Sequence, residues 1–318
     1  MIYTITLNPS VDRTLHFTSL ALGAVNRATA TRTDLSGKGV NVSLALHRLG
    51  VPSVMTGFVA GTFGRILVEG LRAQGYPCTF LEVAGETRSN ITVIDAATGT
   101  ATKLNEPGPT VTPEDLARFE GHLLSLVQAG DVCVFCGSLP TGAPVETYAR
   151  LIRALHAVGV LSVLDASGPA LTMGCAARPD LVKPNTVEAE ELVGFPLERE
   201  ERWAESIGAI RALGPRRVLL TLGARGAIWA GDDALWWAEP PPIRELSNIG
   251  AGDAALAGAL YAWQTGLSGP EVARWAVATG TAKALCDGTQ MPSRALVEQI
   301  FAQVRVCHLE YAKESKGR

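Results

Sequence analysis

A chain of 318 residues allows one large domain or two modest ones, at about 100–200 residues per domain. Hydrophobic residues make up 47% and charged residues 19%, which suits a sizeable core and excludes wholesale disorder. The formal net charge of -3 gives no electrostatic case for nucleic-acid binding, and no run of Lys or Arg suggests a membrane surface.

The first segment, "MIYTITL" (1–7), reads as a strand. It lacks the basic and then apolar order of a signal peptide, and no run of 18 apolar residues follows anywhere. "TLNPSVDRT" (6–14) ends that strand with Asn8, Pro9 and Asp12, the last read as a turn aspartate that could accept hydrogen bonds from sugar hydroxyls. "AVNRATATRTDL" (24–35) alternates small or apolar residues with Thr and Arg, as a half-exposed antiparallel strand does. "GKGVNVSLALHRLG" (37–50) puts Gly37, Lys38 and Gly39 before a helix carrying Asn41 and closed by Gly50. Free N–H groups at such a start, beside a lysine, can cradle a phosphate or polyol.

"PSVMTGFV" (52–59) reads as a strand and "FGRILVEGLRAQG" (63–75) as a helix. "ETRSN" (86–90) places Arg88 at the edge of a second half-exposed piece, "SNITVIDAATGTATKLNE" (89–106), which reads as two strands around a turn. Arg suits bidentate phosphate binding, although a single Arg is ordinarily a surface residue. A helix (113–130), a strand (131–137), a helix (144–159) and a strand (160–167) follow. Cys133 and Cys136 have CxxC spacing, but the strand points them to opposite faces as buried thiols. The six scattered cysteines fit a reducing cytosol rather than a disulfide framework.

In "DLVKPN" (180–185) a strand is stopped by Pro184, and Asn185 with Glu188 has the spacing of a capping box. The same residues, with Lys183, could meet nucleotide phosphates, Glu188 orienting hydrated Mg²⁺; capping and metal organisation are compatible. "RRVLLTLG" (216–223) is a strand running into "TLGARGAIW", where Thr221, Gly223 and Gly226 form either a tight hairpin or a close backbone approach to a nucleotide. Neither a GxxxxGK[ST] loop nor a GxGxxG turn is present. "IGAGDAALAGAL" (249–260) is a glycine turn opening a helix: Gly250, Ala251 and Gly252 offer N–H groups to an anion. Asp253 stands in the first turn, as a complement to the helix dipole or as a chemical group. The tail "AKESKGR" (312–318) is expected to fray. Alternating strands and helices point to an α/β fold with a mostly parallel sheet and ligands at the strands' carboxyl ends.

Seven segments, "TLNPSVDRT", "GKGVNVSLALHRLG", "TRSN…LNEPGP", "CGSLPTG", "LVKPNTVEAEEL", "TLGARGA" and "IGAGDAALAGAL", stand in the order found in ribokinase-like (PfkB) sugar kinases. The chain resembles that family almost end to end, and most closely its 1-phosphofructokinase and tagatose-6-phosphate kinase branch. It departs from the usual pattern at Ser36, at Asn248 and in "AKALCDGTQ" (282–290), which bears on substrate fit, nucleotide preference and any monovalent-ion site.

The resemblance implies a ribokinase-like α/β core (1–11, 36–87 and 106–318) and a discontinuous β-sheet lid (12–35 and 88–105) through which a homodimer forms. It implies a cytoplasmic enzyme that moves the γ-phosphoryl group of ATP, with Mg²⁺, to a primary hydroxyl of a ketohexose phosphate. Fructose 1-phosphate comes first, then tagatose 6-phosphate and fructose 6-phosphate. Asp253 is then the general base, with Gly250, Ala251 and Gly252 as anion hole. Asp12, Gly37, Lys38, Asn41 and Ser138 contact the sugar, and Lys38 and Arg88 its phosphate. Lys183, Asn185, Glu188, Thr221, Gly223, Gly226 and Gly252 meet ATP, Glu188 reaching Mg²⁺ through water. Two other classes compete: a non-catalytic sugar-phosphate sensor, against which Asp253 and its glycines argue, and a nicotinamide oxidoreductase, against which the missing GxGxxG argues.

Overall fold

The computed structural model describes residues 1–232 and 234–310; the tail expected to fray lies outside them. In chain order, β1 (Ile2–Thr6) is followed by β2 (Ser10–Phe17), β3 (Ala30–Ser36), α1 (Lys38–Arg48), β4 (Ser53–Val59), α2 (Gly61–Ala73) and β5 (Cys78–Glu82). Next come β6 (Arg88–Asp95), β7 (Thr100–Leu104), α3 (Pro113–Leu126), β8 (Val132–Cys136), α4 (Thr147–His156), β9 (Leu161–Asp165), α5 (Gly168–Cys175), β10 (Leu181–Val182) and α6 (Thr186–Val193). The last third holds α7 (Glu201–Ala212), β11 (Arg217–Thr221), β12 (Ala227–Ala230), β13 (Leu235–Glu239), α8 (Ala251–Gln264), α9 (Gly269–Ala284), α10 (Arg294–Phe301) and β14 (Arg305–Leu309).

Ten strands form one sheet in the order β14-β13-β12-β11-β10-β9-β8-β1-β4-β5. From β5 to β11 every pairing is parallel, and β12, β13 and β14 continue the sheet antiparallel. Helices cover both faces, as a parallel sheet requires. One face carries Phe119, Tyr148, Ile152, Leu171, Trp203 and Ile207 from α3, α4, α5 and α7. The other carries Val42, Leu46, Leu256, Leu260, Ala276 and Val297 from α1, α8, α9 and α10. Cys133 packs into the first layer and Cys136 into the second, so the CxxC pair is split across the sheet and both thiols are free.

A separate sheet has the order β3-β2-β6-β7. The expectation of purely antiparallel strands there needs correction, because β2 and β6 pair in parallel, Ser10 opposite Arg88 and Phe17 opposite Asp95. Asp12 lies within β2 rather than in a turn, since the chain is extended again one residue after Pro9. The strand expected over 24–35 is Ala30–Ser36. Asn26 explains the late start: its side chain accepts from the Ala21 N–H and donates to the Ala21 and Ala24 carbonyls, giving the preceding chain a loop's hydrogen bonds instead of a ladder's. Arg88 begins β6, an interior strand of this sheet rather than its edge.

Candidate active site

The carboxyl ends of β1, β8, β9, β10 and β11 converge on the starts of α1, α6 and α8. Asp165, the last residue of β9, is fully buried, and its Oδ1 lies 3.0 Å from Lys38 Nζ and 3.2 Å from Lys183 Nζ. Lys38 Nζ is also 3.8 Å from Glu188 Oε1. Burial disfavours the charge of Asp165, but the two lysines outweigh it and hold its pKa below the ordinary carboxylate value. The same balance, seen from Lys38, raises the ammonium's pKa: burial lowers it, and Asp165, Glu188 and Asp253 more than compensate. Lys38 thus stands between two carboxylates rather than as an isolated cation. Asp165 is absent from the motifs that stand out in the sequence; its one local signal is an acidic residue at the carboxyl end of a buried strand.

Asp253 sits in the first turn of α8 and is 7% exposed. Its Oδ2 accepts a hydrogen bond from Asn41 Nδ2 at 2.8 Å, which orients the carboxylate from α1. Burial, then the charge of Asp165, pushes its pKa up to about 6 against the opposing pull of Lys38, Asn41 and Lys183. Gly250 caps α8 with φ 76°, a left-handed conformation that favours glycine. The Ala251 N–H donates to the Asn248 carbonyl at 3.2 Å within the turn. The N–H groups of Gly250, Gly252 and Asp253 have no acceptor among the described residues. Lys183 Nζ lies 3.7 Å from where a side chain on Gly252 would begin, adding a cation to the same spot.

Glu188 fulfils its capping role: Asn185 Oδ1 accepts from the Glu188 N–H and Glu188 Oε2 accepts from the Asn185 N–H, both at 2.9 Å. That leaves Oε1 facing Lys38. Thr221 bridges to Asn185 across the neighbouring strand ends. Gly223 opens a short 3-10 turn with no atom near its missing side chain, whereas Gly226 lies against the Ala238 carbonyl, so packing of the hairpin explains Gly226. At Gly37, φ is 140° and a side chain would meet Thr6 and Pro9, so the loop before α1 needs glycine there. Ser138 is exposed, one residue after Gly137, which lies against Lys38.

Asp12 and Arg88 form a second group on the small sheet. Asp12 Oδ1 accepts from Ser10 Oγ (2.7 Å) and Asn90 Nδ2 (2.9 Å). Arg88 is half-buried and its Nε donates to the Asn8 carbonyl at 3.2 Å. Burial lowers the Arg88 pKa, and Asp12 opposes that. Asn8 Oδ1 and Asn90 Oδ1, both buried, have no hydrogen-bond partner among the described residues. No group of three or more His, Cys, Asp or Glu side chains suited to a metal occurs among the described residues, and no helix there is long and apolar enough to cross a membrane.

Residues 5–296 match the pfkB family of carbohydrate kinases. A 1-phosphofructokinase of Bacillus subtilis is 34% identical over 309 residues, 97% of this chain and 100% of that protein. A tagatose-6-phosphate kinase of Staphylococcus epidermidis is 29% identical over 309 residues, 96% of this chain and 99% of that protein. Phosphofructokinase-2 from Escherichia coli, solved in complex with substrates and products, superimposes with a TM-score of 0.89 at 30% identity, covering 95% of this chain and 98% of the other. The fold is thus ribokinase-like. With the match running over nearly its whole length, the chain belongs to the pfkB family of carbohydrate kinases and is a phosphotransferase with an alcohol group as acceptor.

Proposed function

We propose that the chain transfers the γ-phosphoryl group of ATP to the free primary hydroxyl of fructose 1-phosphate, giving fructose 1,6-bisphosphate and ADP. The observation that carries this reading is the buried Asp253 carboxylate, oriented by Asn41, one residue beyond the open N–H of Gly252. Asp253 takes the proton of the hydroxyl as its oxygen bonds to the γ-phosphorus. The bond from that phosphorus to the bridging oxygen of ADP breaks. Phosphoryl transfer needs alignment and charge stabilisation above all, and the N–H groups of Gly252 and Asp253 with Lys183 and Lys38 supply both. Asp12 and Asn90 present hydrogen-bonding groups to sugar hydroxyls, beside Gly37 and Ser138.

Arg88, on the small sheet beside Asp12, receives the phosphate already on the sugar, while Lys38 lies with Asp165 and Glu188 near Asp253. Lys38 then serves the phosphoryl group in transfer. Asn185, Thr221 and Gly223 line the ATP side. Mg²⁺ fits this set: Asp165 Oδ2 is buried without a hydrogen-bond partner among the described residues, and Glu188 Oε1 is not used by the capping box. Bound there, through water to Glu188, the ion would neutralise phosphate charge. The small sheet acts as a lid that excludes water, and the exposed Leu22, Val25 and Leu104 on its loops and edge support its use in a homodimer. A cytoplasmic location accords with six free cysteines.

The relatives named 1-phosphofructokinase favour fructose 1-phosphate over tagatose 6-phosphate. A coupled assay of ADP release over fructose 1-phosphate, tagatose 6-phosphate, fructose 6-phosphate and fructose tests the order. The highest kcat/KM is expected for fructose 1-phosphate, and a preference for unphosphorylated fructose would overturn the reading.

A further inference from the structure

Lys283, the penultimate residue of α9, is fully buried although it carries a charge. Its Nζ donates to the Gly288 carbonyl at 2.7 Å, one acceptor for a group with three donors. Its Cε lies 3.6 Å from where a side chain on Gly250 would begin, directly behind the turn that opens α8. The next residue, Ala284, accepts from the N–H groups of Leu246 and Ser247 at 2.8 and 3.3 Å, so the end of α9 also holds the loop that leads into that turn. On the outer side, Arg32 of β3 packs over Gly288 and pairs with Asp287 at 3.0 Å. The charged and titratable groups around Lys283 are thus Asp253, Asp287, Cys286 and Arg32.

A buried ammonium with one carbonyl acceptor is a poor way to stabilise a fold: desolvation costs several kcal/mol, and an apolar side chain of similar volume fills such a place as well or better. Burial, with Arg32, accordingly lowers the pKa of Lys283 against the pull of Cys286, Asp253 and Asp287. What the position offers is charge. The γ-phosphoryl group brings negative charge to Gly252 and Asp253, and a fixed cation in a water-poor place strengthens that interaction without reorganising.

We infer that Lys283 is a built-in cation of the active site, placed behind the anion-binding turn to stabilise the phosphoryl group in transfer and to hold that turn. This rests on the reading of Gly252 and Asp253 given above. It concerns a residue acting through the turn, so Lys283 is a positioning residue.

Two variants test it, Lys283→Met, which fills the volume, and Lys283→Ala, which leaves room. Lys283→Met should fold with a melting temperature at or above that of the parent, lose at least about tenfold in kcat, and keep both KM values within about threefold. Ammonium or methylammonium chloride should restore at least half of the kcat lost by Lys283→Ala. Tetramethylammonium chloride at equal ionic strength should not, and neither salt should help Lys283→Met or the parent. A folded Lys283→Met with parental kcat overturns the inference, as does a Lys283→Ala that ammonium leaves unchanged. Failure of both variants to fold overturns it too, because the lysine would then be structural. Asp253→Asn assayed in parallel separates the two readings: if it stays active, the reading of Asp253 fails whatever Lys283 does.

Discussion

Replacing Asp165 by Asn removes the one charge that Lys38 and Lys183 share. Asp165 is fully buried and Lys183 is 4% exposed, so their 3.2 Å pair is little screened by solvent. Breaking such a pair from one side costs about 3–5 kcal/mol, mainly because the other charge stays buried. Asn keeps an acceptor oxygen, and Lys38 keeps Glu188, so the lower end applies: about 3 kcal/mol, a melting temperature lower by about 4–5 °C for a chain of this length. The pKa of Asp165 is depressed in the fold, so its contribution is present above the usual carboxylate pKa and is lost as pH falls below it. The difference between parent and variant should therefore be constant from about pH 7 to 8, and should change below that as Asp253, whose pKa Asp165 raises, titrates. Urea unfolding of the parent, Asp165→Asn, Lys183→Met and the double variant measures the coupling. The double variant should be more stable than the sum of the two single losses predicts, by about 1–3 kcal/mol. Strict additivity, or an Asp165→Asn as stable as the parent, would refute the shared-carboxylate account.

The pKa of Asp253, raised to about 6 by burial and by Asp165, makes the base protonated below that pH, so kcat/KM should fall as pH drops through about 6. In Asp165→Asn the acid limb should move to lower pH; if ionisation of the substrates' phosphates sets the limb, it will not move. Glu188→Gln should preserve the cap on α6, and so stability within about 1 kcal/mol, while the Mg²⁺ needed for half-maximal rate rises several-fold; overlaying Mg²⁺ titrations would reduce Glu188 to a cap. Arg88→Ala should cost on the order of 10- to 150-fold in kcat/KM for the sugar phosphate, with the KM for ATP nearly unchanged, and a loss confined to ATP would contradict its role.

Local signals carried the parts of the site that are local. Gly250 to Asp253 read as a glycine turn opening a helix, and the capping box of Asn185 and Glu188 is visible at a spacing of three. The central strands are short apolar runs bounded by helices, so the parallel sheet was also legible. What escaped depends on pairs distant in the chain. Asp165 matters because β9 ends beside the starts of α1 and α6, and Lys283 because α9 brings it behind Gly250. The parallel pairing of β2 with β6 joins segments some 78 residues apart, which alternation within either one cannot reveal. α9 gives no clear amphipathic signal because it is buried nearly all round: it lies flush against α8, with Thr279 and the Trp275 carbonyl where a side chain on Gly258 would stand.

Asp253 as general base is the point on which the account of this kinase turns, and Asp253→Asn tests it. The substitution keeps size and polarity and removes a carboxylate whose raised pKa marks its charged form as unfavourable in the fold above about pH 6. At pH 8 the variant should therefore be no less stable than the parent. With fructose 1-phosphate and MgATP, single-turnover rates should drop by roughly 10²–10⁴-fold while ATP affinity changes little. A folded Asp253→Asn that turns over at the parental single-turnover rate would contradict the account.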